Sequence, residues 1–293
     1  MDTLPLLVLS ILGLKLNIKL LLLLFFTLSL NAKERIIALS PSINEIIYAI
    51  GAGEQVVGNT EYCKYPKETL KVTKVGGYFS PNLEKIIALK PSIVVMQKNN
   101  HKLAQQLTKL NIKNQIVHID TLDNIRDSII KLGKIFNKEQ NATKIVSDIN
   151  SSLKATKGIV KDKKILMVIG HNTSLAKQIF VVGQNLYLND IIKESGNQNA
   201  FSSKRKGQPI LNMENIIATN PDIVILLTPF IKDKGLTKKE LLEPWKSLPI
   251  SASKSNSIYF IDKYYAGVPS DRLVLFLRDF REILLKDLKV KHK

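Results

Sequence analysis

The chain has 293 residues, 45% hydrophobic and 23% charged, a balance that excludes a disordered polyelectrolyte and leaves room for two α/β domains of ordinary size. The formal net charge is +18, yet only six of the 43 basic residues are arginine. Scattered lysine is a solvated surface, and with so few guanidinium forks no nucleic-acid partner is expected.

Residues 1–32 differ from the rest. Leu20 to Leu30 (LLLLLFFTLSL) is an apolar run that follows Lys15 and Lys19 and precedes Asn31-Ala32, the charged, apolar, small-residue order of a secretory signal. Cleavage near Ala32 and a periplasmic location are expected. Leu4 to Leu14 is apolar too, which leaves an uncleaved anchor or a later translation start as alternatives. Cys63 is the sole cysteine, so there is neither a disulfide framework nor a lipid-bearing cysteine after the leader.

From Arg35 to Leu39 a short apolar run (RIIAL) reads as a buried strand, and Ile43 to Ile50 as a helix after Ser40-Pro41-Ser42. Gly51-Ala52-Gly53 follows a helix and precedes the short strand Val56 to Gly58, the reverse of a phosphate-binding turn. Asn82 to Leu89 reads as an Asn-capped helix stopped near Pro91, and Ile93 to Met96 as a buried strand. A helix at His101–Leu110 and a strand at Ile116–Ile119 containing His118 complete the expected N-terminal α/β lobe, residues 33–121. Apolar residues at 122, 125, 129, 132 and 136 and then at 142, 145, 149 and 153 predict one long linking helix within 122–158, with a phase adjustment near Asn137. The C-terminal lobe, 159–293, is expected to hold strands at Lys164–Ile169, Ile223–Leu227 and Ile258–Ile261, with helices at Leu186–Ser195, Met213–Ala218 and Arg272–Leu285. Strands alternating with helices in both halves predict two doubly wound, parallel α/β lobes.

One sentence of this sequence is written twice. Asn82 to Met96 is NLEKIIALKPSIVVM and Asn212 to Leu226 is NMENIIATNPDIVIL. A cap, an apolar helix face, a helix stop and a buried strand are what any duplicated lobe keeps. Glu84 and Glu214 need another reason: either a charge that complements the helix dipole, or a matched pair of carboxylates offered to a twofold-symmetric partner.

With RIIALSPSINEIIYAIGAGEQVVGNTEYCKYP and VGGYFSPNLEKIIALKPSIVV, these stretches resemble the periplasmic solute-binding proteins of ABC importers for iron chelates, haem and vitamin B12. The resemblance covers the chain after the leader. It implies two lobes joined by a helix, a ligand between them, a membrane permease/ATPase complex as partner, and Glu84 and Glu214 as transporter-docking residues that pair with permease arginines. The chain would act as a monomer with no resident cofactor and hold a metal complex reversibly.

In doubly wound sheets the ligand sits beyond the carboxyl ends of the strands, which selects Ser40 to Ser42, Tyr62 to Tyr65, Tyr78 and His101 in the first lobe. In the second it selects His171, Lys204-Arg205-Lys206, Phe230 and Tyr264-Tyr265. Tyrosine offers a flat apolar face and a phenolic oxygen. His101 and His171, one per lobe, could grip a metal centre or be surface residues and caps; the basic triplet could attract an anionic chelate or be a solvated turn. Gln208 stands where the resemblance leads one to expect an aromatic. No GxSxG elbow, HExxH helix, phosphate loop or catalytic carboxylate pair is present, so the competing reading, an exported α/β enzyme using the same cleft, has only fold analogy behind it.

Overall fold

The computed structural model describes residues 34–176, 178–203 and 208–290. The leader and its cleavage site therefore lie outside the described residues, as does Arg205.

The first lobe runs β1 (Ile36–Ala38), α1 (Pro41–Ala49), β2 (Val56–Asn59), β3 (Thr73–Lys74), α2 (Leu83–Ala88), β4 (Ile93–Gln97), α3 (His101–Lys109) and β5 (Asn114–Val117). Its sheet has the order β3-β2-β1-β4-β5 with every pairing parallel. Helix α1 begins earlier than its apolar residues suggest, because Ser40 caps it, accepting from the Ile43 N–H at 3.2 Å, and Pro41 occupies the first turn.

The linking segment corrects the expected single helix. It is two helices, α4 (Leu122–Ile135) and α5 (Glu139–Lys154). Asn137 adopts φ +55, and the Lys138 N–H donates to the Gly133 carbonyl at 2.7 Å, a Schellman closure built on one of the few residues that tolerate the left-handed region. The two helices then pack together so closely at Gly133 that a Cβ there would stand 2.4 Å from that of Ala142. What reads as a phase slip in one helix is a change of direction between two.

The second lobe runs β6 (Lys164–Ile169), β7 (Ile179–Val181), α6 (Tyr187–Glu194), β8 (Gln198–Asn199), β9 (Ile210–Leu211), α7 (Met213–Thr219), β10 (Ile223–Leu227), α8 (Lys238–Lys246), α9 (Ser251–Lys254), β11 (Ile258–Ile261) and α10 (Leu273–Val290). Its sheet has the order β11-β10-β6-β7-β9, with β8 also on β6. It is mixed rather than parallel throughout: after Gly170, at φ +122, the chain returns as β7 antiparallel to β6 and to β9.

The two copies of the repeated sentence fold alike. Asn82 and Asn212 each accept the N–H three residues on, both at 2.8 Å. Each helix ends in a left-handed residue before proline, Lys90 at φ 45 and Asn220 at φ 41. Each following strand pairs in parallel with the first strand of its lobe, β4 with β1 and β10 with β6. The pleat then sorts side chains by parity. Ile93, Val95, Ile223, Ile225 and Leu227 join one central core shared with α4, α5, α6 and α10. Val94 and Met96 face an outer core with Ile86, and Val224 and Leu226 face another with Ile216 and Trp245.

Candidate functional site

Two polar devices of α1 hold the lips of a cleft between the lobes. The first fixes the loop Tyr62–Tyr65: Asn44 donates to the Tyr65 carbonyl at 3.0 Å, and Lys74 Nζ reaches the Cys63 carbonyl at 3.2 Å and Asn59 Oδ1 at 2.7 Å. Burial pulls the Lys74 ammonium below its usual range and pushes the Cys63 thiol up. Cys63 is buried with its sulfur 3.3 Å from Thr60 Oγ1, a packed side chain and not an accessible nucleophile.

The second device crosses between lobes. Glu45, buried on α1, is gripped by Arg272 through Nε to Oε2 at 2.9 Å and Nη2 to Oε1 at 2.5 Å, and accepts from Ser270 Oγ at 2.6 Å. The guanidinium also lies 4.0 Å from the Tyr65 ring centre and 5.1 Å from that of Tyr264. The Tyr264 hydroxyl donates to the Tyr62 carbonyl at 2.9 Å. Burial is the main influence raising the Glu45 carboxyl, with Arg272 opposing it, and burial raises the Asp271 carboxyl to about 6, with the Glu45 charge adding to it. Asp271 Oδ1 is buried without a hydrogen-bond partner. This cluster is a latch between the lobes.

The latch borders a cleft of about 560 Å³ lined by Pro41, Ser42, Tyr62, Tyr78, Phe79, Gln97 and Ile119 of the first lobe and by Gly267 to Pro269 of the second. Gln97 ends β4, and the Tyr78 hydroxyl donates to its Oε1 at 2.8 Å, so the tyrosine is held by the carboxyl end of a central strand. Burial raises the Tyr78 phenol, with Asp120 contributing. Phe79 meets Tyr78 edge to face with ring centres 4.5 Å apart, yet is 82% exposed. Its ring is thus braced on one edge by Tyr78 and otherwise open at the cleft.

The expected site residues divide. Tyr62 and Tyr78 line the cleft. Tyr264 forms the latch, its phenol raised to about 12 by burial first and by Glu45 second. Phe230, at φ +64, sits edge to face with Tyr264 at 5.1 Å and under Lys64 Nζ at 5.3 Å. Tyr265 does not line the cleft: its hydroxyl meets Asp279 of α10 and its ring packs on the central core. His101 is the exposed first residue of α3, and the His171 Nε2 is 2.5 Å from the Pro229 carbonyl of its own lobe. Among the described residues no group of three metal-binding side chains exists. His118 is exposed and lies one residue beyond β5, not within a strand. Sequence reasoning missed Phe79, Gln97, Ile119 and Gly267 to Pro269; for Phe79 the signal was present, a second aromatic beside Tyr78 in GGYFSP. Glu84 and Glu214 are exposed, each in the first turn of its copy.

Two α/β lobes with a ligand-sized cleft, tied by a helical bridge and a latch, define a bilobal binding protein. Residues 36–265 match the family model described as periplasmic binding protein, and the chain belongs to that family. Among curated relatives, a vitamin B12-binding protein of Vibrio vulnificus is 27% identical over 269 residues, 89% of this chain and 94% of that one. An uncharacterized ABC transporter substrate-binding lipoprotein of Bacillus subtilis is 28% identical over 263 residues, 87% of this chain and 81% of that one. Among solved structures, the periplasmic vitamin B12 binding protein of Vibrio cholerae superposes with a TM-score of 0.72 at 22% identity, covering 89% of this chain and 98% of that chain. The periplasmic heme-binding protein of Roseiflexus sp. RS-1 gives 0.72 at 22%, covering 87% and 99%. These structures share the fold.

Proposed function

We propose that the chain is the substrate-binding component of an ABC importer. It captures a bulky metal chelate, a ferric siderophore, haem or cobalamin, and hands it to a membrane permease/ATPase complex. The observation that carries this reading is the inter-lobe cleft of about 560 Å³ with Tyr62, Tyr78 and Phe79 on one wall and Gly267 to Pro269 on the other. Aromatic faces suit a flat or bulky organic ligand, while Gln97 and the phenols supply a few oriented polar contacts. The chelate binds reversibly, no bond being made or broken, and the chain works as an exported monomer in the periplasm. Glu84 and Glu214, exposed on matched helices, are the docking carboxylates, one per lobe.

The test is a titration of the purified protein with cyanocobalamin, hemin and a ferric catecholate, followed by calorimetry and visible absorption. One of the three is expected to bind one to one, and Tyr62→Ala with Phe79→Ala to weaken it at least tenfold, about 1.4 kcal/mol. Failure of all three to bind, or binding indifferent to both substitutions, would overturn the assignment.

A further inference from the structure

On another part of the molecule lies a second cavity of about 500 Å³, lined by Arg126, Asn150, Leu153, Lys154, Lys157, Lys193, Glu194 and Gly196. Three elements build it: α4 supplies Arg126, the end of α5 and the turn after it supply Lys154 and Lys157, and the end of α6 supplies Lys193 and Glu194. None of its lining residues belongs to the cleft.

Helix capping accounts for part of this charge. Lys154 and Lys193 stand in the last turns of their helices, where a cation complements the dipole. It does not account for Lys157, which is past the end of α5, or for Arg126, which enters from the side of a third helix. Nor do the helix ends offer bare carbonyls to the cavity. The Lys154 carbonyl accepts from Lys157, that of Lys193 from Gly196, and that of Ser195 from Gly158.

Arg126 is the most telling of the four. Its side chain is 20% exposed, and the Nη1 donor reaches Asp123 at 2.9 Å. The Nη2 stands 3.7 Å from Glu194 Oε1, beyond hydrogen-bond length, and the buried Nε has no partner. Of the guanidinium donors, Nη2 is thus the one that lines the cavity without a hydrogen bond of its own, and a charged N–H donor so placed is suited to an oxyanion. Four cations set against Asp123 and Glu194 leave two positive charges, the complement of a phosphate group carrying −1.5 to −2 at neutral pH.

We propose that this cavity is a second binding site, for a phosphate group, in which Arg126 presents Nη2 and Lys154, Lys157 and Lys193 neutralise the charge. A bound phosphate joins the linking helices α4 and α5 to α6 of the second lobe, away from the cleft. The oxyanion chemistry is common to free phosphate, which carries close to two negative charges, and to a phospholipid headgroup, whose phosphodiester carries one.

The experiment titrates the purified protein with inorganic phosphate by calorimetry at constant ionic strength, and separately measures co-sedimentation with phosphatidylglycerol vesicles against phosphatidylcholine vesicles. Saturable binding at one site is expected, weakened at least tenfold in Lys154→Gln/Lys193→Gln, whose side chains are exposed, and again in Arg126→Gln. The control Lys109→Gln/Lys113→Gln removes the same charge elsewhere and should bind as the parent does. Binding to free phosphate that competes with vesicles supports the site with either source, and binding to vesicles alone, lost in the same variants, supports it with a headgroup as the source. If neither binds, or if the control weakens binding as much as the site variants, the attraction is the diffuse field of a basic protein and the site does not exist.

Discussion

The two copies of the repeated unit are alike wherever the interior determines them and unlike where they meet the cleft. Caps, left-handed stops, strand pairings and the alternation of side chains between cores coincide across the 130-residue offset. Beyond the ends of β4 and β10 the likeness stops. The first lobe places Gln97 there, holding Tyr78 and Phe79, whereas the second places Thr228, Pro229 and Phe230, with His171 engaged by the Pro229 carbonyl. Burial constrains a duplicated frame strongly and its exposed rim hardly at all. The first lobe has therefore become the aromatic wall of the cleft, and the second contributes a short apolar edge and the Arg272 side of the latch.

That contrast can be broken most forcefully at the latch, which has no counterpart in the repeat. Arg272→Met leaves the Glu45 carboxylate buried without its partner and should cost about 3–5 kcal/mol in urea unfolding. Adding Glu45→Gln should recover most of that loss. A loss under 1 kcal/mol would mean that the pair contributes nothing to joining the lobes.

Within the repeat, Ile86→Ala and Ile216→Ala each open an outer core and should cost about 2–5 kcal/mol, with the two values agreeing within about 1 kcal/mol. Unequal costs, read from the same denaturation curves, would show that the copies no longer share a packing solution. Asp271 gives a smaller effect with a definite pH signature. Burial raises its carboxyl from an ordinary 3.8 to about 6 in the folded chain. Between those values the folded state holds a proton that the unfolded chain has released, so stability falls as pH rises from about 4 to about 6 and stays lower above. Asp271→Asn should raise the melting temperature at pH 7.5, by on the order of 1–2 kcal/mol in free energy, and the gain should vanish at pH 4. A gain independent of pH would remove the titration from the account. Asn82→Ala and Asn212→Ala should each cost about 1 kcal/mol, equal in the two lobes if the caps are equivalent.

Much of this frame was legible in the sequence because its signals are local. Asn before an apolar helix, proline after it and an unbroken apolar strand identified both copies and the alternating α/β order. Two features of the frame were not legible. The linking segment reads as one helix in sequence because its apolar spacing resumes after Asn137; the closure of Lys138 on Gly133 and the close contact of Gly133 with Ala142 are tertiary facts. Strands β7 to β9 are two or three residues long, too short for a period to register. In the site, strand-end reasoning found Tyr62 and Tyr78, but it also selected Tyr265, whose neighbour Tyr264 faces the other lobe while its own hydroxyl turns to Asp279. The partnership of Glu45 with Arg272 joins residues 227 apart, which no motif announces.

The proposed function assigns transporter docking to one exposed carboxylate on each lobe, Glu84 and Glu214. Charge reversal at both positions, Glu84→Arg with Glu214→Arg, tests it most directly by comparing chelate binding to the purified protein with uptake by cells that depend on it. Both residues are exposed and away from the cleft lining, so binding should stay within about twofold while uptake falls to background. Uptake that persists, or binding that is lost together with uptake, would contradict the account.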